Sequence, residues 1–224
     1  MSRYPPVAVK VWGEWACFTR PEMKVERVSY PVPTASAARG ILEAIFWKPE
    51  FRWSVEEVWV LEPIRYHSLV RNEVTERANA AVARRWAREG GGFDATDTSR
   101  SRSQRHTLAL RDVAYLIRAS VAVREGVAED PAKFRDQFQR RVTRGQCFTQ
   151  PYLGCREFSA AFGPPTGDER PIDESLDLGQ MLLDLDYAPD GSGRGTPRFF
   201  PARLERGVLR YPEVQEVGPC SSSG

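Results

Sequence analysis

Histidine and cysteine are scarce in this chain, with two of the first and four of the second among 224 residues. Cys17, Cys147, Cys155 and Cys220 include no close pair at zinc-finger spacing, so no metal site is expected from them. They read as small buried side chains in a reduced cytoplasm. No apolar run reaches membrane length, and nothing reads as a secretory leader. The basic half holds no compact cluster of carboxylates, which places metal-dependent nuclease chemistry well below other readings. His67 and His106 are the only imidazoles, so groups that titrate near neutrality are few.

What is present is enough apolar residue, 41%, for one good core with a small appendage. The formal net charge of +2 hides a split. From Glu157 to Gly224 there are six arginines against twelve acids, a net −6, which leaves +8 on residues 1–156. The front of the chain is thus suited to phosphate, and the acidic tail to basic surfaces of protein partners.

Periodicity supplies the elements. Val7, Val9 and Val11 alternate with Ala8, Lys10 and Trp12, as in a strand. A helix follows, capped by Thr34 or Ser36, with Ala37, Ala38, Ile41, Leu42 and Ile45 on one face and a stop at Pro49. Gly40 in mid-helix costs about 1 kcal/mol relative to alanine, which predicts close packing of another backbone there. Strands are expected over Phe51–Ile64 and Ala109–Arg124, the latter alternating through Val113, Tyr115, Ile117, Ala119, Val121 and Val123. A second helix spans Pro131 to Arg144, and Glu157 to Phe162 supplies a fourth strand. This order, strand, helix, strand, strand, helix, strand, predicts an α+β, ferredoxin-like fold of the RNA-recognition-motif type over residues 1–165. Residues 76–106 form a mobile basic insertion with a short helix over Ala80–Arg88, because the serine and arginine run has too little apolar surface to fold alone; it is either a solvated loop or a segment that orders against RNA or a neighbouring subunit. Beyond it, alternation through Met181, Leu183, Leu185 and Tyr187, the run Phe199–Leu204 and a turn at Arg206 and Gly207 predict a small C-terminal antiparallel β-sheet in a domain over 166–224.

The most informative stretch is KFRDQFQRRVTRGQCFTQPYLGCREF, Lys133 to Phe158. Asp130 is a good N-cap, Pro131 sits where a missing N–H costs nothing, and Gly145 can take the left-handed stop. At 100° per residue Lys133, Arg140 and Arg144 fall within roughly 40° of arc, while Phe134, Phe138 and Val142 form an apolar stripe. The helix runs into a loop whose glycines permit close backbone approach and whose Phe148 and Tyr152 can stack on bases. A cationic face joined to an aromatic loop suits a bent sugar-phosphate strand.

This stretch resembles the subtype I-C branch of the CRISPR-associated Cas5 family (Cas5d, also called Cas5c). So does SYPVPTASAARGILEAIFWKPEFRW, Ser29 to Trp53. The likeness extends through WGEWACFTRPEMKVERVSY, VLEPIRYHSLVRNEV, TLALRDVAYLIRA and LGQMLLDLDY, and so covers nearly the whole chain. It implies the ferredoxin-like scaffold of the repeat-associated RNA-binding superfamily and no cofactor. It also implies binding of the hairpin repeat of precursor CRISPR RNA, cleavage at the hairpin's 3′ base without metal, and retention of the 5′ handle within the Cascade surveillance complex. The implied partners are that RNA and the backbone and large subunits.

In the resembled family the activity is assigned to a tyrosine before the WKP of the first helix and to an adjacent lysine and histidine at the second. These positions fall on Phe46, Lys133 and Phe134. Only the lysine survives, and phenylalanine neither donates nor accepts a proton. The alternative implied is a non-catalytic subunit that caps the handle. His67, His106, Tyr30, Tyr115 and Tyr152 are the replacements that can carry a proton. RNA contacts are expected from Arg39, Lys48, Arg140, Arg141, Arg144, Phe148, Tyr152 and Arg156.

Overall fold

Alternating apolar residues become strands wherever their two edges find partners, and the longest of them, at the centre of this fold, reaches beyond its apolar stretch. The computed structural model describes residues 4–23, 25–74, 80–90, 102–187 and 195–212. In chain order the elements are β1 (Val7–Ala16), β2 (Arg27–Val28), α1 (Ala35–Ile45), β3 (Phe51–Val60), β4 (Tyr66–Val74), α2 (Ala80–Glu89), β5 (Arg102–Val123), α3 (Pro131–Thr143), β6 (Ala161–Gly163), β7 (Leu176–Tyr187), β8 (Gly195–Glu205) and β9 (Val208–Arg210). Hydrogen bonding orders one sheet as β6-β1-β5-β3-β9-β8-β7, with β2 and β4 also on β5. The pairings are antiparallel except for the two-residue β2, which runs parallel to β5. The chain is therefore a mixed α/β fold around an antiparallel sheet with few helices.

Both site-bearing helices follow from local chemistry. The Thr34 side chain accepts from the Ala37 amide at 3.2 Å and caps α1. Asp130 does the same for α3 through the Ala132 amide at 2.9 Å, and Gly145 ends that helix at φ +62°. Ile41, Leu42 and Ile45 of α1 and Phe134, Phe138 and Val142 of α3 enter one core with Val9, Val11, Trp53 and Ile117 of the central strands. Met181, Leu183, Phe200 and Leu204 of the C-terminal strands bury themselves in that same core. The turn at Arg206 and Gly207 is present, with both residues at positive φ.

Three expectations need correction. Residues 102–106, expected within an insertion without structure of its own, begin β5 and pair with β4 from Val74↔Arg102 to Val70↔His106. Main-chain hydrogen bonds hold a two-stranded arm without an apolar face, and an Arg105–Glu26 ion pair and the His106 amide on Glu26 tie its flank down. The insertion's helix is α2, whereas residues 75–79 and 91–101 lie outside the described residues. The fourth strand is only Ala161–Gly163, because the Ala160 amide donates to the Pro151 carbonyl and the Leu153 amide to the Phe158 carbonyl, drawing the preceding residues into the loop. Among the described residues Gly40 meets no other backbone, and a methyl placed on it would touch nothing within 4 Å. Of the 166–224 segment, residues 188–194 and 213–224 lie outside the described residues.

Candidate nucleic-acid interface

The loop after α3 is built onto the end of α1. The last carbonyls of a helix lack partners within it, and here the Ala44 carbonyl accepts from the amides of Phe148 at 2.8 Å and Thr149 at 3.1 Å. Arg141 completes the cap by donating to the Ile45 carbonyl at 2.9 Å, with its guanidinium 5.2 Å from the centre of the Phe46 ring. Arg141, expected among the RNA contacts, is thus held by the protein itself as a clasp between two helices. Leu153 then drops into the core, and its carbonyl accepts from the Cys17 amide at 2.9 Å. Gly154, at φ +85°, passes so near that a Cβ would stand 2.1 Å from the Cys17 carbonyl oxygen. The close approach that glycine permits is made to the protein's own backbone.

What the loop leaves outside is aromatic and cationic. Phe148 is 81% exposed and Tyr152 41%. Arg140, Arg144 and Arg156 are exposed, and their guanidinium groups have no carboxylate or hydrogen-bond partner among the described residues. Lys48 is half-buried beside an exposed Trp47, a further aromatic that no expectation from the sequence included. Lys133 sits on the same helix face as Arg140, about 10 Å along the axis. Its ammonium is exposed and bonded to Glu129 at 2.7 Å.

Arg39, also expected among the RNA contacts, is engaged within the protein. It grips Asp184 of β7 with two bonds of 2.6 and 2.9 Å and lies 3.7 Å from Glu43. Burial opposes ionisation of Asp184, but the Arg39 hydrogen bonds and charge outweigh it and hold the carboxyl below its usual range. This pair fastens α1 to the C-terminal strands.

Phe46 and Phe134 are 2% and 1% exposed. Their rings lie 5.6 and 4.8 Å from Phe51, so both positions form one aromatic cluster, extended by Trp53 and Phe138. Among the replacements, Tyr30 and Tyr115 are buried, and burial raises both phenols above their ordinary range. His67 lies on β4 against Trp15, and His106 on β5 beside Glu26. Tyr152 alone of the five belongs to the loop after α3. A phenol that no sequence motif singles out is Tyr4, whose hydroxyl donates to Asp130 at 2.9 Å, at the N-terminus of the helix that carries Lys133. No local pattern marks a contact across that much chain.

Fold and surface together define a mixed α/β protein whose antiparallel sheet carries a cationic helix and an aromatic loop on one rim. The chain belongs to the Cas5d family: the family model described as CRISPR-associated protein (Cas_Cas5) matches residues 7–212. It is 47% identical over 219 residues to a protein of Thermus thermophilus named CRISPR pre-crRNA endoribonuclease Cas5d, covering 91% of this chain and 90% of that one. A protein of the same name from Mannheimia succiniciproducens is 42% identical over 216 residues, covering 92% and 94%. Among solved structures, one titled "Crystal Structure of CRISPR-associated Protein" superposes with a TM-score of 0.65 at 24% identity, covering 94% and 92%.

Proposed function

We propose that this protein is a precursor-CRISPR-RNA endoribonuclease that binds the repeat hairpin, cuts at its 3′ base and keeps the 5′ handle in a Cascade-type complex. The observation that carries this reading is the exposed run Arg140, Arg144 and Phe148, an uncompensated cationic face continued by an aromatic loop. Arginines take phosphates and an aromatic ring takes an unstacked base. Kinship with two proteins named for this activity supports it. The order β6-β1-β5-β3, with α1 leading from β1 to β3 and α3 from β5 to β6, supports a ferredoxin-like unit over 1–165. The strands β7, β8 and β9 of the 166–224 segment are its β elaboration, and their Met181, Phe200 and Leu209 share the core.

Cleavage proceeds as the ribose 2′-hydroxyl gives up its proton and its oxygen bonds to the adjacent phosphorus, while the bond from phosphorus to the 5′-oxygen breaks and that oxygen takes up a proton. It leaves a 2′,3′-cyclic phosphate and a 5′-hydroxyl. Lys133 supplies positive charge to the phosphorane, and its ammonium exchanges Glu129 for the phosphate on binding. Incubation of the purified protein with its cognate repeat in EDTA tests the reading. Accurate cutting that disappears in Lys133→Ala while binding persists is the expected result. Uncut RNA at stoichiometric protein removes the catalytic part.

The burial of Phe46 and Phe134 favours a second reading, a non-catalytic subunit that caps the handle. In that case wild type and Lys133→Ala bind the repeat equally and neither cuts it.

A further inference from the structure

A cleft of about 280 Å³ opens beside the loop after α3. Its lining joins apolar Phe18 and Leu182 and the side-chain-free Gly40 to the hydroxyl-bearing Thr19, Ser36 and Tyr152. Every described residue lining it is neutral. Those residues offer a phosphate no countercharge, which favours an uncharged, flat or apolar group with polar edges.

Gly40 lines the cleft without a side chain. It is exposed in the middle of α1, where alanine would make a better helix, and no described residue lies within 4 Å of the position a methyl would take. Glycine is therefore not required by packing or by backbone conformation, and what it leaves is room above the helix.

The loop that carries Phe148 onto the end of α1 reaches the cleft with Tyr152, so the cleft lies on the continuation of the cationic and aromatic track. Tyr152 is fixed there by a backbone bridge to Ser159 and remains 41% exposed. The volume lies just below that of drug-sized pockets, which suits a single small ring system. An unstacked base presents a π-face to an aromatic ring and donor and acceptor edges to hydroxyls.

We propose that the cleft over Gly40 is a nucleobase-binding subsite that takes one unstacked base of the bound RNA against Tyr152. The inference rests on the RNA-binding reading above and adds a position-specific contact to it. The test is a binding titration of the full chain with the cognate repeat RNA and a set of the same RNA carrying a single abasic site at each successive position. For wild type, one position is expected to lose on the order of tenfold in affinity beyond its neighbours. Gly40→Leu, which fills the cleft, is expected to lose a similar factor on intact RNA and nothing further on that one abasic RNA. Tyr152→Ala repeats the pattern by a different route, and circular dichroism confirms that each variant is folded. If the cleft-filling loss and the abasic loss multiply, or if Gly40→Leu and Tyr152→Ala bind intact RNA as tightly as wild type, the subsite is wrong. In either case the RNA-binding reading survives on wild-type affinity. A wild type that binds no repeat RNA overturns both.

Discussion

The Phe134 ring stacks on Phe51 with centroids 4.8 Å apart and planes 29° from parallel. Phe134 is also 1% exposed, so an imidazole introduced there would be buried without a designed partner. Phe134→His is expected to destabilise the protein by about 2 kcal/mol, from the unsatisfied polar group and the weakened stacking. Urea unfolding measures this through the shift in midpoint at constant slope.

Neighbouring arginines on α3 should behave in opposite ways. Removing Arg140 and Arg144 together should weaken RNA binding and flatten its salt dependence, by about 0.7 in log–log slope for each phosphate of a single strand that is no longer neutralised. Thermal stability should stay near wild type. Arg141→Ala should instead lower the melting temperature, since it uncaps the Ile45 carbonyl and exposes one side of Phe46. Titrations at several salt concentrations beside melting curves separate the two effects.

Two glycine-to-alanine changes should also diverge. At Gly40 the methyl meets open space and relieves an unfavourable helix residue, so Gly40→Ala should stabilise the fold by up to about 1 kcal/mol. At Gly154 the positive φ and the Cys17 carbonyl forbid a Cβ, so Gly154→Ala should unfold or rearrange the loop. Melting temperatures of the two variants are expected to move in opposite directions.

The Glu169 carboxylate accepts hydrogen bonds from the Thr166 amide and hydroxyl and from the Gly167 amide at 2.9 to 3.0 Å. The Thr166 amide is the largest influence, and together these donors outweigh burial and bring the carboxyl from an ordinary 4.5 to about 2. A folded-state pKa below the unfolded one means that this contribution is present above pH 4.5 and is lost as pH falls toward 2. Glu169→Gln should therefore lower stability at neutral pH and show a shallower decline between pH 4.5 and 2. Denaturant midpoints across that range check the sign.

What could be read in advance was what local residues decide. Asp130, Pro131 and Gly145 bracket α3, and the Phe134, Phe138 and Val142 stripe fixes its buried face, because capping and phase act within a few residues. Roles set by distant contacts were illegible. Arg39 and Arg141 carry the same charge as Arg140, yet Asp184 captures the first and the end of α1 the second. The early start of β5 was hidden for a related reason: main-chain pairing with β4 leaves no apolar signature. The cleft escaped because Gly40 signalled only an anomaly in a helix, and whether backbone or vacant space lay above it depended on the fold.

The loop that presents Phe148 has its Phe148 and Thr149 amides bonded to the Ala44 carbonyl. It cannot swing away without stripping the end of α1 of its partners. The corner is therefore set before any strand arrives, and the entropy of ordering it belongs to folding instead of association. Encounter with RNA should then be governed by ionic attraction and diffusion, with no wait for a closing segment.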